Sequence, residues 1–411
     1  MSPAVDYDYT VKYLILVDGV GANHNKYYRM IPQGDVFQVE YGRVGASAQT
    51  RQYPISQWEK KYNEKVRKGY VDQSHLVQDL IQKQKPKADN QYKKIDNPDI
   101  EEIVELLMSY AKQKVAANYK VSSNQVTQAM VDEAQKIIDK LMMSEDIVDF
   151  NSLLSTLFTV IPRRMGNVKE YLAKSKEDFP KILKDEQDLL DVMRGQVVTH
   201  VVEEEEQEEE SPLSNKTILE AMGLIFEPVD AGEIAMIKSK LGDVRDRYFK
   251  AWRVRNLRTQ KRYDNFCAKE HITEHKLLWH GSRNENWWSI INNGLMIRPT
   301  NAVYTGSMFG DAIYSAPKAR KSLGYTSLSG SYWARGNSNK GFMALMSFAY
   351  GTPYNIYSFN GRYYGYNYKK LQQDCPGANC LHAHAGASIR NDEIVFYNTE
   401  QCTIQYLVEL R

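Results

Sequence analysis

The sequence predicts a multidomain α+β protein, in which a small β-rich domain and an all-helical domain precede an α+β domain with mostly antiparallel sheets. Its 411 residues are enough for two to four domains of ordinary size. The hydrophobic pattern changes from strand-like alternation to helical spacing, and then to short apolar runs among glycines and tyrosines. The net charge is only +2, so nucleic-acid binding would have to come from a local basic patch.

The β-rich domain is predicted over residues 1–75. Short apolar runs at 11–17 and 27–31 are typical of strands, and residues 35–44 alternate between the two faces of a strand. A short basic helix is expected over residues 56–68.

Basic and aromatic residues interleave within segment 51–69. The segment holds six lysines and arginines against two glutamates, a local charge of +4. This composition suits contact with phosphates combined with stacking on bases. A solvated amphipathic helix explains it equally well, so the residues alone leave both interpretations open. The neighbouring aromatic residues are Tyr53, Trp58, Tyr62 and Tyr70.

Two polar segments flank the predicted all-helical domain. Residues 76–97 are rich in lysine, glutamine and aspartate, which predicts a linker. Over residues 98–200 apolar side chains recur at helical spacing, as in Ile103 and Leu107, and this predicts the helices. Residues 201–215 include seven glutamates, whose mutual repulsion predicts an acidic linker.

The last domain is predicted over residues 216–411, where four residues suited to chemistry lie at the edges of predicted strands. His280 ends a buried strand and Tyr314 lies on another, whereas Tyr325 follows a short helix and Glu393 precedes an apolar strand. The chain lacks the GxSxG, phosphate-loop and HExxH signatures, so those hydrolase, nucleotide-binding and metalloprotease classes are not indicated.

Three separated motifs resemble the poly(ADP-ribose) polymerase family. They are HGSR at 280–283, MFGxxIYxAxxxxKSxxY at 308–325 and ExxxYxxxQ at 393–401. Residues 98–200 resemble the helical regulatory domain of this family, and the NKYYRM and YGRVG segments near the N-terminus resemble its WGR domain. The resemblance implies a WGR DNA-binding domain, a helical regulatory domain and an ADP-ribosyltransferase catalytic domain, in that order.

The resemblance also implies a histidine–tyrosine–glutamate site that takes NAD as its substrate and needs no metal. Counting back from Gln401, the glutamate of the family falls on Glu393 rather than on Asp392. Its carboxylate would stabilise the positive charge that develops on the ribose as nicotinamide leaves. The implied catalytic residues are Glu393, His280, Tyr314 and Lys321. The implied NAD-binding residues are His280, Gly281, Ser282, Asn286, Tyr314, Ser322, Tyr325 and Asp191.

DNA would act as an activator and not as a substrate. The resemblance implies that the first domain binds strand breaks, as 5′-phosphorylated ends or nicks, and that the helical domain blocks NAD until DNA loosens it. The family's tryptophan in the first domain is replaced by a tyrosine, which can still stack on a sugar or base. The implied DNA-binding residues are Asn25, Tyr41, Arg43, Trp58, Lys61 and Tyr70.

The implied function is a DNA-break-activated polymerase that transfers ADP-ribose from NAD to proteins, including itself, and to the growing polymer. A mono-ADP-ribosyltransferase and a DNA-end-binding scaffold with weak catalysis are the alternatives. No membrane partner is expected, whereas an unidentified protein that sets specificity is compatible with the resemblance. The few cysteines fit a reducing compartment, which would be the nucleus in a eukaryote and the cytoplasm otherwise.

Two features stand apart from this interpretation. Cysteines and histidines recur as C-x4-C-x-H-x-H, which could hold zinc, although the spacing is not that of a common zinc motif and two loop-forming residues interrupt it. These four are Cys375, Cys380, His382 and His384. The chain also departs from the family pattern near the implied pocket, at Met296, Ser307, Ala312 and Ser315.

Overall fold

The structure is a computed structural model, and it describes residues 9–19, 23–77, 92–119, 126–208, 216–297, 308–386 and 389–411. The chain forms two compact units. The first comprises the described residues up to 77 with Val115–Met193, and the second comprises those from 92 to 114 with Arg194–Arg411. These units differ from the predicted domain boundaries, because two long helices each contribute residues to both.

The first unit begins with five strands and one helix. They are β1 (Lys12–Asp18), β2 (His24–Gln33), β3 (Val36–Arg43), β4 (Gln49–Pro54), α1 (Trp58–Arg67) and β5 (Val71–Asp72). The strands form one antiparallel sheet in the order β4-β3-β2-β1-β5. The predicted β-rich domain and its basic helix are therefore confirmed.

The core of this sheet is packed against α1 through Trp58. Its side chain is only 3% exposed and lies edge-on to Phe37, with ring centroids 5.1 Å apart. The other buried members of the cluster are Leu14, Tyr28, Met30 and Val39. Burial of a large aromatic ring contributes about 1.5–3 kcal/mol to the free energy of folding. Trp58 therefore stabilises the packing of α1 against the sheet.

Four α-helices follow in the described residues. They are α2 (Pro98–Asn118), α3 (Gln128–Met142), α4 (Ile147–Val160) and α5 (Phe179–Glu208). Side-chain caps explain where two of them begin. The Thr127 hydroxyl accepts a hydrogen bond from the Met130 N–H at 3.1 Å, and the Asp146 carboxylate accepts from two N–H groups of α4 at 2.7 and 3.1 Å.

Helix α5 continues eight residues into the segment predicted as an acidic linker. The structure keeps residues 201–208 helical, although a loop was expected there. Glutamate is a good helix former, and a helix that is already nucleated extends at little cost despite charge repulsion.

The second unit contains the remaining elements. The helices are α6 (Ile218–Ala221), α7 (Ala231–Leu241), α8 (Leu257–Lys269), α9 (Trp287–Asn293), α10 (Ala319–Leu323) and α11 (Tyr368–Asp374). The strands are β6 (Leu224–Pro228), β7 (Tyr248–Asn256), β8 (His275–Gly281), β9 (Ile313–Ser315), β10 (Gly341–Ala349), β11 (Pro353–Ile356), β12 (Cys380–Ala383), β13 (Glu393–Phe396) and β14 (Cys402–Leu410).

These strands form two sheets. The five-stranded sheet has the order β6-β7-β14-β10-β8 and is antiparallel throughout. The four-stranded sheet has the order β11-β12-β13-β9, and only its β11–β12 pair is parallel. The predicted α+β class with mostly antiparallel sheets is therefore confirmed. No helix in the described part of the chain combines the length and the apolar character that a membrane span requires.

Candidate active site

The site lies where the two sheets of the second unit meet. The backbones of Trp279, near the end of β8, and Ala316, just after β9, exchange two hydrogen bonds of 2.9 and 3.1 Å. This bridge places His280 beside Tyr314, with the His280 Nδ1 atom 3.2 Å from the Tyr314 carbonyl oxygen. The structure thus brings together two of the residues that the sequence predicted.

The environment of His280 determines its chemistry. Burial lowers the pKa of His280, only partly offset by the bond to the Tyr314 carbonyl, so the imidazole is neutral at pH 7. Because a carbonyl oxygen can only accept, the single proton of the neutral ring lies on Nδ1. The Nε2 atom is then an acceptor, suited to a ribose hydroxyl.

Gly281 allows the closest approach of the chain in this region. A Cβ atom added to Gly281 would lie 1.9 Å from the Ser322 carbonyl oxygen, so no other residue fits without moving backbone. The Ser322 side chain is buried, and its hydroxyl donates to the Trp279 carbonyl at 3.1 Å. With its proton engaged by the Trp279 carbonyl, this hydroxyl is oriented to accept a hydrogen bond from a ligand rather than to donate one.

The hydroxyl of Tyr314 is occupied by hydrogen bonds to the backbone. The hydroxyl donates to the Gly310 carbonyl at 2.9 Å and accepts from the Phe309 N–H at 3.0 Å. Both hydroxyl functions are thus engaged within the loop that precedes β9. The ring is therefore the part of the Tyr314 side chain that stays available to a ligand, while the hydroxyl fixes the loop.

A carboxylate and an ammonium group form a close pair at the start of β13. The Lys321 Nζ atom lies 2.7 Å from Glu393 Oε1, and the two side chains are only 16% and 11% exposed. Asp392 binds elsewhere, since its oxygens contact the Ala385 N–H at 2.9 Å and His382 Nε2 at 3.0 Å. The two carboxylates thus have different partners, and the role of Glu393 as the catalytic carboxylate stays a prediction.

Tyr325 lies beside this pair and remains 42% exposed. Partial burial, together with the negative charge of Glu393, raises the pKa of Tyr325 to about 12, so the phenol stays protonated. Its ring stacks on Trp333, with centroids 6.3 Å apart and planes inclined by 19°. The sequence interpretation missed Trp333, although the adjacent aromatics Tyr332 and Trp333 in a glycine- and serine-rich loop were a usable signal.

Ser282 and Asn286, two further residues that the sequence predicted to bind NAD, lie in direct contact. The Asn286 side-chain NH2 donates to the Ser282 hydroxyl at 3.1 Å, which connects two predicted NAD-binding residues. The Asn286 Oδ1 atom is buried without a hydrogen-bond partner, an unfavourable arrangement that a bound hydroxyl would satisfy. Asp191 belongs to the first unit, where Gln187 donates to it at 3.0 Å, and its role toward NAD stays a prediction.

Comparison with known proteins decides the family. The model of the poly(ADP-ribose) polymerase catalytic domain matches residues 233–411, and the model of the WGR domain matches residues 11–77. The chain belongs to the poly(ADP-ribose) polymerase family. Its C-terminal region is accordingly an NAD+ ADP-ribosyltransferase domain, and the resemblance stated from the motifs is confirmed.

Three relatives illustrate how far the similarity extends. Uncharacterized protein 101L of Invertebrate iridescent virus 6 is 33% identical over 183 residues, which cover 44% of this chain and 75% of that protein. Poly(ADP-ribose) polymerase 2-A of Oryza sativa subsp. japonica is 23% identical over 359 residues, 74% of this chain and 53% of the rice protein. Poly(ADP-ribose) polymerase 2 of Homo sapiens is 47% identical over 57 residues, 14% of this chain and 10% of the human protein. The chain thus spans about half the length of the rice polymerase.

Three of the six predicted DNA-binding residues of the WGR domain are buried or hydrogen-bonded within the first unit, namely Asn25, Arg43 and Trp58. Asn25 is fully buried and its side chain donates to the Arg163 carbonyl at 3.3 Å. The Arg43 guanidinium donates to the carbonyls of Met165 and Gly166 at 3.2 and 2.7 Å. Asn25 and Arg43 therefore tie the sheet to the segment after α4.

The burial of Asn25 and of Trp58 contradicts the predicted DNA contacts of both residues, because side chains so covered cannot reach a phosphate or a base. Tyr41, Lys61 and Tyr70 are partly exposed, and for them DNA binding stays a prediction.

The structure does not unite the four residues of the C-x4-C-x-H-x-H pattern. Cys380 is buried and its thiol donates to the Tyr350 carbonyl at 3.4 Å, and Cys375 packs against an apolar cluster. In the described parts of the chain, the group of metal-ligating side chains that converges is His382, His384 and Asp392.

The departures from the family pattern occupy distinct positions. Met296 is 40% exposed, Ala312 packs against the apolar cluster beside β9, and the buried Ser315 hydroxyl donates to the Ile394 carbonyl at 3.0 Å. Ser307 lies outside the described residues. The Ser315 bond joins β9 to β13, so this departure supports the strand that carries Glu393.

Proposed function

We propose that this chain is a DNA-break-activated poly(ADP-ribose) polymerase that transfers ADP-ribose from NAD to protein side chains, its own included, and to the growing polymer. The observation that carries the proposal is the 2.7 Å pair of Lys321, in helix α10, and Glu393, at the start of β13, with Tyr325 beside it. In the reaction the bond between the ribose C1 carbon and nicotinamide breaks, a bond from C1 to an acceptor oxygen forms, and the acceptor loses its proton.

Each residue has a physical reason to take part. Glu393 supplies negative charge near the ribose carbon that becomes positive, in a site where little water screens it. The His280 Nε2 atom accepts from a ribose hydroxyl, and the Tyr325 ring is available to stack on nicotinamide. The buried Asn286 oxygen accepts from the adenosine ribose. The presence of both His280 and Glu393 favours polymer formation over transfer of a single ADP-ribose.

Regulation by helices is supported by contacts inside the second unit. Lys114 of α2 lies 3.8 Å from Glu285, which Arg283 holds at 2.9 Å. Gly195 of α5 packs so tightly on α9 that an added Cβ would lie 2.7 Å from the Ser289 Cα atom. The helices therefore pack against the segment that carries Asn286, a predicted NAD-binding residue, and loosening them would open that side of the site to NAD.

DNA sensing is supported by cations held over aromatic rings on the first sheet. The Lys61 ammonium lies 4.6 Å from the Tyr53 ring centroid, and the Lys65 ammonium lies 4.2 Å from that of Tyr28. The Arg51 guanidinium lies 6.0 Å from the ring of Tyr41. Such pairs offer positive charge to phosphates, and the partly exposed rings of Tyr41 and Tyr53 are flat surfaces on which an exposed base can stack. In a eukaryotic cell this function implies a nuclear location.

The first experiment measures nicotinamide release from labelled NAD by the full chain, with and without nicked DNA that carries a 5′-phosphate. We expect turnover to rise at least tenfold with the nick and to fall steeply with added salt, because phosphate contacts release counterions. Products resolved by length separate polymer from single ADP-ribose units. Unchanged turnover with DNA would refute activation, and no turnover in either condition would favour the scaffold alternative.

The second experiment tests the helical gate with Gly195→Ala. The new methyl group collides with α9, so we expect turnover without DNA to rise several-fold. Gly166→Ala is the matched control, since an added Cβ there meets nothing within 4 Å. Equal DNA-free turnover in the wild type and in a folded Gly195→Ala protein would contradict the gate.

A further inference from the structure

A group of metal-ligating side chains lies close to Glu393 but on the other face of its strand. In the register of β12 and β13, His382 pairs with Ile394 and Ala383 pairs with Glu393. Because neighbouring residues of a strand point to opposite faces, His382 and Asp392 lie on the face away from the Glu393 carboxylate. The proposed transfer reaction makes no use of this group.

The three donor atoms surround a common point. Asp392 Oδ2 lies 3.0 Å from His382 Nε2 and 3.7 Å from His384 Nδ1, and all the donor atoms lie within 4.8 Å of one another. Ligands at about 2.0–2.1 Å from a tetrahedral zinc ion are roughly 3.3–3.4 Å apart, between the two observed distances. The imidazole rings lie 4.0 Å apart and nearly parallel, which allows both nitrogens to point toward the carboxylate.

Outer partners hold each ligand in an orientation suited to a metal. His384 Nε2 lies 2.8 Å from Asn355 Oδ1, and His382 Nδ1 lies 2.8 Å from the Tyr350 hydroxyl. The second oxygen of Asp392 accepts from the Ala385 N–H at 2.9 Å, which leaves Oδ2 for the ion. Ligands in metal sites are oriented in this way by hydrogen bonds to their outer atoms.

The proton positions favour a cation at the centre. Because the Asn355 oxygen can only accept, the proton of a neutral His384 lies on Nε2, and its Nδ1 lone pair faces the Asp392 carboxylate. A cation between this nitrogen and the carboxylate oxygen, which lie 3.7 Å apart, would bind both. Two imidazole nitrogens and one carboxylate oxygen suit zinc better than magnesium or calcium, which prefer oxygen ligands.

We propose that His382, His384 and Asp392 bind one zinc ion, with water as the fourth ligand, on the reverse face of the β12–β13 pair. The ion would connect the end of β12 to Asp392, the residue directly before Glu393. It would thereby fix the start of β13 and the position of the catalytic carboxylate, without touching NAD.

The test uses the full chain, stripped of metal with a chelator and then titrated with Zn2+ and, for its absorption spectrum, with Co2+. We expect one ion per chain, a Co2+ spectrum typical of four-coordinate nitrogen and oxygen ligands, and a higher melting temperature with zinc. His384→Gln and Asp392→Asn should weaken binding by at least about a hundredfold. His271→Gln, an exposed histidine of the same unit, is the control and should bind as the wild type does.

A second variant separates loss of zinc binding from loss of folding. Asn355→Leu alters an exposed residue and leaves all three ligands in place, so it should fold and still bind zinc about 10–100-fold more weakly. Absence of saturable Zn2+ binding in the wild type would overturn the proposal, as would equal affinity in the wild type and His384→Gln. Metal content is measured directly, so this result does not depend on whether the protein transfers ADP-ribose.

Discussion

Replacing Glu393 by glutamine tests the central electrostatic argument. The change preserves the shape of the side chain and removes a charge that lies 2.7 Å from the Lys321 ammonium. About half a unit of positive charge on a ribose carbon roughly 4 Å from the carboxylate would be stabilised by about 2 kcal/mol at an effective dielectric constant near 20. Loss of this attraction alone predicts a rate reduction of about 30-fold.

The unpaired lysine adds to this effect. Lys321 is only 16% exposed, so after the Glu393→Gln change its charge stays in the site and repels the developing positive charge. Together the two effects should lower nicotinamide release by about 10²–10³-fold, the range seen when one preorganised stabilising group is removed. The double variant Glu393→Gln with Lys321→Met should recover about tenfold, because it also removes the repelling charge.

The assay is the initial rate of nicotinamide release from labelled NAD in the presence of nicked DNA, with the melting temperature as a check on folding. Glu400→Gln, an exposed glutamate of the same domain, is the control and should keep full activity. A folded Glu393→Gln protein with more than a third of wild-type turnover would refute the role of the carboxylate. A double variant no faster than Glu393→Gln would refute the role assigned to the lysine charge.

Three further outcomes follow from the geometry. Tyr325→Ala should raise the Kd of nicotinamide-like competitors about tenfold, or about 1.4 kcal/mol, and unchanged affinity by calorimetry would remove this ring from the pocket. Arg43→Ala should lower the free energy of unfolding by about 1.5–3 kcal/mol in denaturant titrations, since three backbone carbonyls lose their hydrogen-bond donor. Tyr41→Ala should instead mainly weaken DNA binding, and the opposite pattern would favour Arg43 as the DNA contact. Burial lowers the pKa of His280, so as the pH drops below about 6.5 the unfolded chain binds a proton at this residue before the folded chain does, and the free energy of unfolding falls. His280→Gln should flatten that part of the profile of stability against pH. An unchanged slope would contradict the burial of a neutral imidazole at this position.

The sequence alone predicted the α+β fold class, and it named His280 and Glu393 as candidate reactive residues. Alternation in β3 and helical spacing in α3 are local patterns, set by which face of an element is buried. His280 and Glu393 were located by motifs whose order and spacing can be read from the sequence without any knowledge of the packing. Such features depend on residues near one another in the chain, and a sequence reports them directly.

Tertiary structure decided which residues meet. Lys321 and Glu393 are 72 positions apart, and their 2.7 Å contact exists because β9 pairs with β13. The same applies to Trp58, whose ring is equally compatible with a core or with stacking on DNA until its burial is known.

The histidine cluster gives the clearest contrast. The spacing of Cys380 and His382 indicated a ligand set of two cysteines and two histidines. In the structure the third ligating side chain beside the two histidines is instead Asp392, ten residues beyond His382 and across an antiparallel strand pair. Strand register and side-chain face control this grouping, and both depend on long-range pairing whose free energy a linear pattern does not contain.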